Sequence, residues 1–239
     1  LPDRNMSKFD IIAFDADDTL WHCESLFQDT QSRLIEILDQ YADHESVQAR
    51  LHDTEEANIR VFGCGIKGFT LSMIETAIEI SDKKISAEDI HEITMMGKAM
   101  LDSPLELFDG VDDVLDDLAG RYSLHLITKG DNMDQYNKIE KSDLAHHFQK
   151  IDVVLKKDVP TYRDLFAEHQ TDPHRALMAG NSIPSDVLPI LELGGWGVHI
   201  PYYVVASFEQ HDDDPVHDRF HRVDRLAKLP DLLQYLEEN

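Results

Sequence analysis

At 239 residues the chain is long enough for one large domain, or for a core carrying a smaller insert, and its 42% hydrophobic content suits an ordinary buried core. No apolar run approaches the roughly 20 residues of a membrane span. The 47 acidic residues against 22 basic ones leave a formal net charge of −25, which argues against nucleic acid and anionic membrane as general partners. The same field repels an anionic substrate, unless metal and local lysines reverse the sign at the site.

Residues 1–5 precede a Met6 that reads as a natural start, and no basic segment followed by an apolar one marks a signal peptide. Phe9-Asp10-Ile11-Ile12-Ala13-Phe14 is a short apolar run ending in polar residues, the pattern of a buried strand. From about Leu26 to Met100 the chain reads as mainly helical. Leu34, Ile35, Ile37 and Leu38 share one face, and Leu71, Ile74, Ala77 and Ile78 share another. Gly63-Cys64-Gly65-Ile66-Lys67-Gly68 between them is too glycine-rich to continue either helix. Cys23 and Cys64 show no metal-ligand spacing and are expected as reduced thiols of a cytoplasmic protein.

After Pro104 four apolar runs follow at Leu124–Ile127, Ile151–Leu155, Ala176–Ala179 and Val198–Ile200. Helical patterns near Val111–Leu118, Asn132–Ile139, Tyr162–His169 and Val187–Leu193 alternate with them. That alternation predicts right-handed βαβ units and an α/β fold with a parallel sheet. In such sheets ligands bind beyond the carboxyl ends of the strands, so the residues standing there are the informative ones.

The first strand delivers Asp15-Ala16-Asp17-Asp18-Thr19. Carboxylates one residue apart on a turning backbone can face one cavity, one attacking or ligating metal and the other handling protons. A polar turn in an Asp-rich protein is the ordinary alternative. The second strand ends in Thr128-Lys129-Gly130, where a hydroxyl can bond a phosphoryl oxygen and glycine lets the backbone approach; a helix N-cap would also use the Thr. Lys156-Lys157 after the third strand can neutralise a charged nucleophile and a phosphate, or can be a solvated pair. Gly180-Asn181-Ser182-Ile183-Pro184-Ser185-Asp186 after the fourth offers an amide and a carboxylate to a hard cation, although Asp186 also suits a helix N-terminus. The acidic run His211-Asp212-Asp213-Asp214 is expected as an exposed loop.

Taken together and in this order, the four strand ends resemble the haloacid dehalogenase-like hydrolases, whose motifs are DxDxT, a Ser/Thr, a Lys and an acidic GDxxxxD-type loop. Gln135, Lys138, Ile139, Leu144 and Phe148 match a further pattern of that family, and the likeness spans essentially the whole chain. It implies a Rossmann-like three-layer core from residues 1–20 and 105–239, with a smaller α-helical cap, residues 21–104, inserted after the first strand. It also implies a Mg²⁺-dependent phosphatase acting on a small phosphorylated metabolite, with Asp15 as nucleophile and Asp17 as general acid/base. Thr128 would hold the phosphoryl group, with Lys129, Gly130 and Lys67 of the cap loop near the substrate. Of the two lysines the resemblance favours Lys157 over Lys156. Mg²⁺ would sit on Asp15, the carbonyl of Asp17, Asn181 and Asp186. Asn181 stands where the family usually has Asp, so the metal is expected to be held more weakly. A weak or inactive phospho-ligand or protein-binding relative is the main alternative, and a phosphonatase or dehalogenase a lesser one.

Overall fold

Alternation along the first strand, β1 (Ile11–Phe14), sends Ile12 and Phe14 to one side and Ile11 and Ala13 to the other, and all four are buried. Burial on both faces requires helices on both sides of the sheet, and this is what the computed structural model shows for residues 7–203 and 213–239. Met6 and the residues before it lie outside the described residues, as do His211 and Asp212 of the acidic run.

Five more strands join β1: β2 (Ser123–Lys129), β3 (Lys150–Val154), β4 (Ala176–Gly180), β5 (Trp196–His199) and β6 (Phe220–Arg222). Their order is β3-β2-β1-β4-β5-β6, and every pairing is parallel. The chain runs outward from β1 to one edge and then returns to build the other half from β4. That reversal leaves a crevice beyond the carboxyl end of β1, with β2 and β4 on either side.

On one face of the sheet α5 (Val111–Ala119) and α9 (Leu229–Glu238) bury Val111, Leu115, Leu118, Leu229, Leu233 and Leu236. Ile139 of α6 (Asn132–Ser142) belongs to the same cluster. On the other face α7 (Val159–Glu168) brings Tyr162 and Phe166, and α8 (Leu188–Glu192) brings Ile190. The strands and helices stand close to their sequence-derived positions. Residues 183–187 instead form a π-helical turn that precedes α8, and β6 and α9 are elements the sequence reading did not anticipate.

Between β1 and β2 lie α1 (Glu24–Leu38), α2 (His44–Phe62), α3 (Ile66–Ile80) and α4 (Ala87–Asp102). They enclose a hydrophobic cluster of their own, centred on Leu34, Leu38, Leu51, Phe69, Met73 and Ile93. The expected face of α3 needs correcting: Leu71 and Ile78 are 43% and 36% exposed, and Ile66, Phe69, Met73 and Ala77 form the buried stripe. Its buried face also carries Ser72 and Thr76 while Leu71 and Ile78 face out, so periodicity alone could not choose the face. The glycine-rich loop is also shorter than expected, since α3 resumes at Ile66 and contains Gly68. Among the described residues no helix is long and apolar enough to cross a membrane.

One buried group ties stability to pH. His125 on β2 is 4% exposed; its Nε2 lies 3.2 Å from Ser123 Oγ, and its Nδ1 has no partner. Burial first, and then neighbouring His169, push its pKa down to about 4 from 6.5. The folded state therefore favours the neutral ring, and its contribution to stability is full above about 6.5 and is lost as pH falls towards about 4. Lowering the pH from about 7 to about 5 should cost on the order of 2 kcal/mol through this residue. Urea unfolding of His125→Gln should show a correspondingly flatter pH dependence, and an unchanged slope would clear His125 of the effect.

Candidate active site

Phe14 pairs with Leu126 on β2 and Ala179 on β4, so the residues that follow all three strands emerge at one edge. Asp15 extends the ladder by one bond, its N–H donating to the Ala179 carbonyl at 2.9 Å. The chain then turns sharply, with Asp18 in the left-handed region at φ 60° and its N–H donating to the Trp21 carbonyl at 2.8 Å. This turn points Asp15 and Asp17 into one cavity. Asp18 also lines this cavity, but its carboxylate accepts from the backbone N–H groups of Cys23 and Glu24, where α1 begins.

Lys157, just beyond β3, sits between two carboxylates. Its Nζ donates to Asp15 Oδ1, and to Asp186 Oδ1 at 2.7 Å. All three residues are buried, Asp186 completely. The other oxygen of Asp186 accepts from the Ser182 N–H at 3.0 Å, which ties the loop after β4 to the same point. Gly180 makes room for this knot: a Cβ there would lie 2.2 Å from Asp186 Oδ2 and 2.9 Å from the Asp15 Cβ. Burial raises the Asp15 pKa to about 6, with Lys157 opposing and Asp186 adding to the rise. Burial works against the Lys157 ammonium, but Asp15 and Asp186 together hold its pKa above the usual lysine value.

Asp17 is held differently. Its carboxylate accepts from Lys138 Nζ at 2.7 and 2.9 Å, from Gln135 Nε2 at 2.8 Å and from Trp21 Nε1 at 2.6 Å. Burial pushes its pKa up, but Lys138, Gln135 and Trp21 outweigh that and bring it below the ordinary value. Gln135 and Lys138 lie three residues apart on one face of α6. Gln135 also accepts from Thr128 Oγ1 at 3.1 Å, which links the hydroxyl near the end of β2 to the Asp17 network. Thr128 is not the helix cap; Asp131 is, accepting from the Asp134 N–H.

Asp15, Asp17, Thr128, Lys129, Gly130, Lys157, Asn181 and Asp186, all singled out from the sequence, line one cavity of about 770 Å³. Its opposite wall comes from α1, α2 and the loop at Cys64. Two other candidates do not reach it. Lys156 is exposed while its neighbour Lys157 turns inward, and Lys67 forms an ion pair with Asp131 at 2.8 Å instead of facing the cavity. Thr19, Trp21, Gln135 and Lys138 were recognised as part of a pattern or not at all, with no contact assigned to them. The spacing of Gln135 and Lys138 was the available signal for a shared target.

The donor set suits a hard divalent cation. Thr19 Oγ1 lies 3.3 Å from Asp15 Oδ2 and 3.4 Å from Asn181 Oδ1, so a carboxylate oxygen and an amide oxygen converge on one spot. This is the side of Asp15 that Lys157 leaves open. Carboxylate, amide and carbonyl oxygens with no sulfur are what Mg²⁺ takes. The Asp17 carboxylate is already committed to three donors, which leaves its backbone carbonyl for such an ion. Asp186 is committed to Lys157 and Ser182 through separate oxygens. The described residues offer two further His/Asp groupings with metal-ligand character, Asp112/His146/His147 and His125/Asp152/His169, neither of which includes a cavity residue.

The model of the haloacid dehalogenase-like hydrolases matches residues 9–194. Comparison with curated proteins returned no match. Among solved structures, a haloacid dehalogenase-like family hydrolase from Xanthomonas campestris is 38% identical, with a TM-score of 0.87 over 97% of this chain and 93% of that one. A 2-haloacid dehalogenase from Pseudomonas syringae pv. Tomato (15% identity, TM-score 0.61, 95% and 99% covered) shares the fold. So does a predicted phosphoglycolate phosphatase from Haemophilus somnus (17% identity, TM-score 0.61, 95% and 99% covered). Matched over most of its length by the family model and over nearly all of it by a structure of the same kind, the chain belongs to the haloacid dehalogenase-like hydrolases.

Proposed function

We propose that the chain is a Mg²⁺-dependent phosphatase that hydrolyses small phosphate monoesters through an aspartyl-phosphate on Asp15. The observation that carries this reading is the second carboxylate, Asp17, held two residues beyond Asp15 by Lys138, Gln135 and Trp21. Displacing a halide needs no proton for the leaving group, so a dehalogenase would have no use for such a carboxylate. An alkoxide leaving group does need one.

Substrate phosphate would enter where Thr128, Lys129 and Lys157 converge. Asp15 attacks phosphorus through a carboxylate oxygen, the bond from phosphorus to the ester oxygen breaks, and the departing alkoxide takes a proton from Asp17. In the second half Asp17 takes a proton from water as that water attacks phosphorus, and the bond to Asp15 breaks to release phosphate. Bound at Asp15, Asn181 and the Asp17 carbonyl, Mg²⁺ would supply charge neutralisation for the phosphoryl oxygens. Asp17 as held here is ready for the second half, because a carboxylate paired with an ammonium readily stays ionised. The first half requires it to leave Lys138 and turn, protonated, towards the ester oxygen.

The insert 21–104 acts as the cap, and its wall closes the cavity over the substrate. The charge of −25 and the two free cysteines suit a cytoplasmic enzyme of small metabolites that engages neither nucleic acid nor membrane.

Asp15→Asn should reduce hydrolysis of p-nitrophenyl phosphate to background with the circular dichroism spectrum unchanged; activity near wild type would remove Asp15 from the mechanism. Asp17→Asn should slow alkyl phosphates by roughly 10²–10⁴-fold and p-nitrophenyl phosphate, with its better leaving group, much less. Equal losses on the two substrates would rule out the leaving-group role. Asn181→Asp adds a charge beside the ion and should lower the Mg²⁺ concentration that gives half-maximal activity. A titration midpoint that does not move would place the metal elsewhere.

A further inference from the structure

Charge is distributed unevenly around the cavity. The lysines that line it, Lys129, Lys138 and Lys157, close β2, lie on α6 or follow β3, at the end that holds Asp15. The wall formed by α1 and α2 carries the carboxylates of Glu24, Glu45 and Glu55 and the amides of Gln28, Gln31 and Gln48. No described lysine or arginine of that wall lines the cavity. His52 also faces it and acts electrostatically on Glu55.

The acidic wall belongs to the one cavity that contains the nucleophile, and a substrate bound through its phosphate must place its leaving group against it. Resting on the phosphatase reading above, we propose that the leaving group is a polyhydroxylated alcohol without a carboxylate or second phosphate, as in a sugar or polyol monophosphate. A second anion would meet carboxyl groups and amides with no described lysine or arginine among them, and with His44 and His52 as the basic side chains of that wall. Hydroxyls donate to carboxylates and bond amides in either sense, so they suit every polar group on that wall. Glu24 and Glu55 strengthen the case. Burial first, then Asp18 and Glu55, raise the Glu24 pKa to about 8, and burial raises that of Glu55 with only His52 opposing. Neither carboxyl is steadied by a lysine or arginine, and hydroxyls serve them in either protonation state. Size agrees, since about 770 Å³ is well beyond what a two-carbon acid would fill and lies in the range of small-molecule sites. Phe27 and Phe69, in ring contact at 5.0 Å, add apolar surface beside the polar groups.

The test uses the full chain with Mg²⁺ and a matched pair of probes, glucose 6-phosphate and 6-phosphogluconate, which differ chiefly by a carboxylate. Like-charge juxtaposition costs enough that kcat/KM, measured above about pH 8 where Glu24 ionises, should favour glucose 6-phosphate by about tenfold or more. In Glu24→Gln/Glu55→Gln that ratio should shrink, and in Glu55→Lys it should shrink further or invert. Should the double variant lose its circular dichroism signal, Glu45→Lys, at an exposed position, provides the same readout. Equal or better hydrolysis of the carboxylated probe overturns the proposal. So does turnover of p-nitrophenyl phosphate with no gain for either sugar phosphate, an outcome that leaves the phosphatase reading standing. Failure to hydrolyse even p-nitrophenyl phosphate overturns both.

Discussion

The ammonium of Lys157, buried between Asp15 and Asp186, is the interaction on which the site depends. It joins the ends of β1, β3 and β4, three strands of a sheet in which only β1 and β4 are direct neighbours. Two carboxylates buried at this spacing would otherwise repel each other, and one would keep its proton. Removing one partner from such a buried group typically costs about 3–5 kcal/mol, because the remaining charge has no solvent to turn to. Chemistry gains from the same arrangement. Asp15 is desolvated enough to be reactive, and yet Lys157 keeps it from being neutralised outright. Gly180 belongs to this device, since no larger residue leaves space for Asp186 to reach in.

Two aspartates separated by one residue thus occupy opposite electrostatic settings. Asp15 is shifted up because burial outweighs one ammonium that it shares with Asp186. Asp17 is shifted down because Lys138, Gln135 and Trp21 outweigh its burial. Pairs of carboxyls whose environments pull their pKa values apart are how one site divides nucleophilic and proton-transfer duties. The direction here is informative. On the proposed phosphatase reading Asp17 rests ionised and retracted, so its acid duty would be tied to a movement away from Lys138. A phosphate arriving beside Thr128 would then enter the same hydrogen-bonded chain, because Thr128 donates to Gln135 and Gln135 donates to Asp17. Binding and release of the acid are in this way physically adjacent.

The strand ends were legible in the sequence because a parallel sheet delivers every carboxyl end to one edge. Short apolar runs followed by Asp15, Thr128, Lys157 and Gly180 therefore meant shared space before any coordinates. The choice between Lys156 and Lys157 could not come from periodicity, since past the end of β3 the strand rule no longer applies. Lys67 is paired with a carboxylate at a helix cap, Asp131, a partner that nothing in the glycine-rich loop's own sequence points to. The face of α3 was misread because apolar residues also lie on its exposed side, and only the packing of α2 and α4 against it selects Phe69 and Met73. Trp21 is the least readable of the site residues. Its indole is buried in the sheet's core cluster, and only the ring N–H reaches Asp17.

The acidity of the chain becomes intelligible at the same site. To bind the phosphate ester proposed above, a protein of net charge −25 would have to concentrate cations where the anion sits, and Lys129, Lys138 and Lys157 stand together within one end of one cavity. Each has an acidic or hydroxyl partner: Lys138 has Asp17 and Asp134, Lys157 has Asp15 and Asp186, and Lys129 has Ser185. Burial lowers the Lys129 pKa, so its ammonium is the least stabilised of the three and stands to gain most from an arriving phosphate. The base of the cavity is thus not strongly positive, and on the proposed reading a divalent cation would tip it towards an anionic substrate. The long-range field outside remains repulsive. Affinity for such an anion would therefore come from contacts made within the cavity, and selection among phosphate esters would fall to the part of the molecule that lies against α1 and α2.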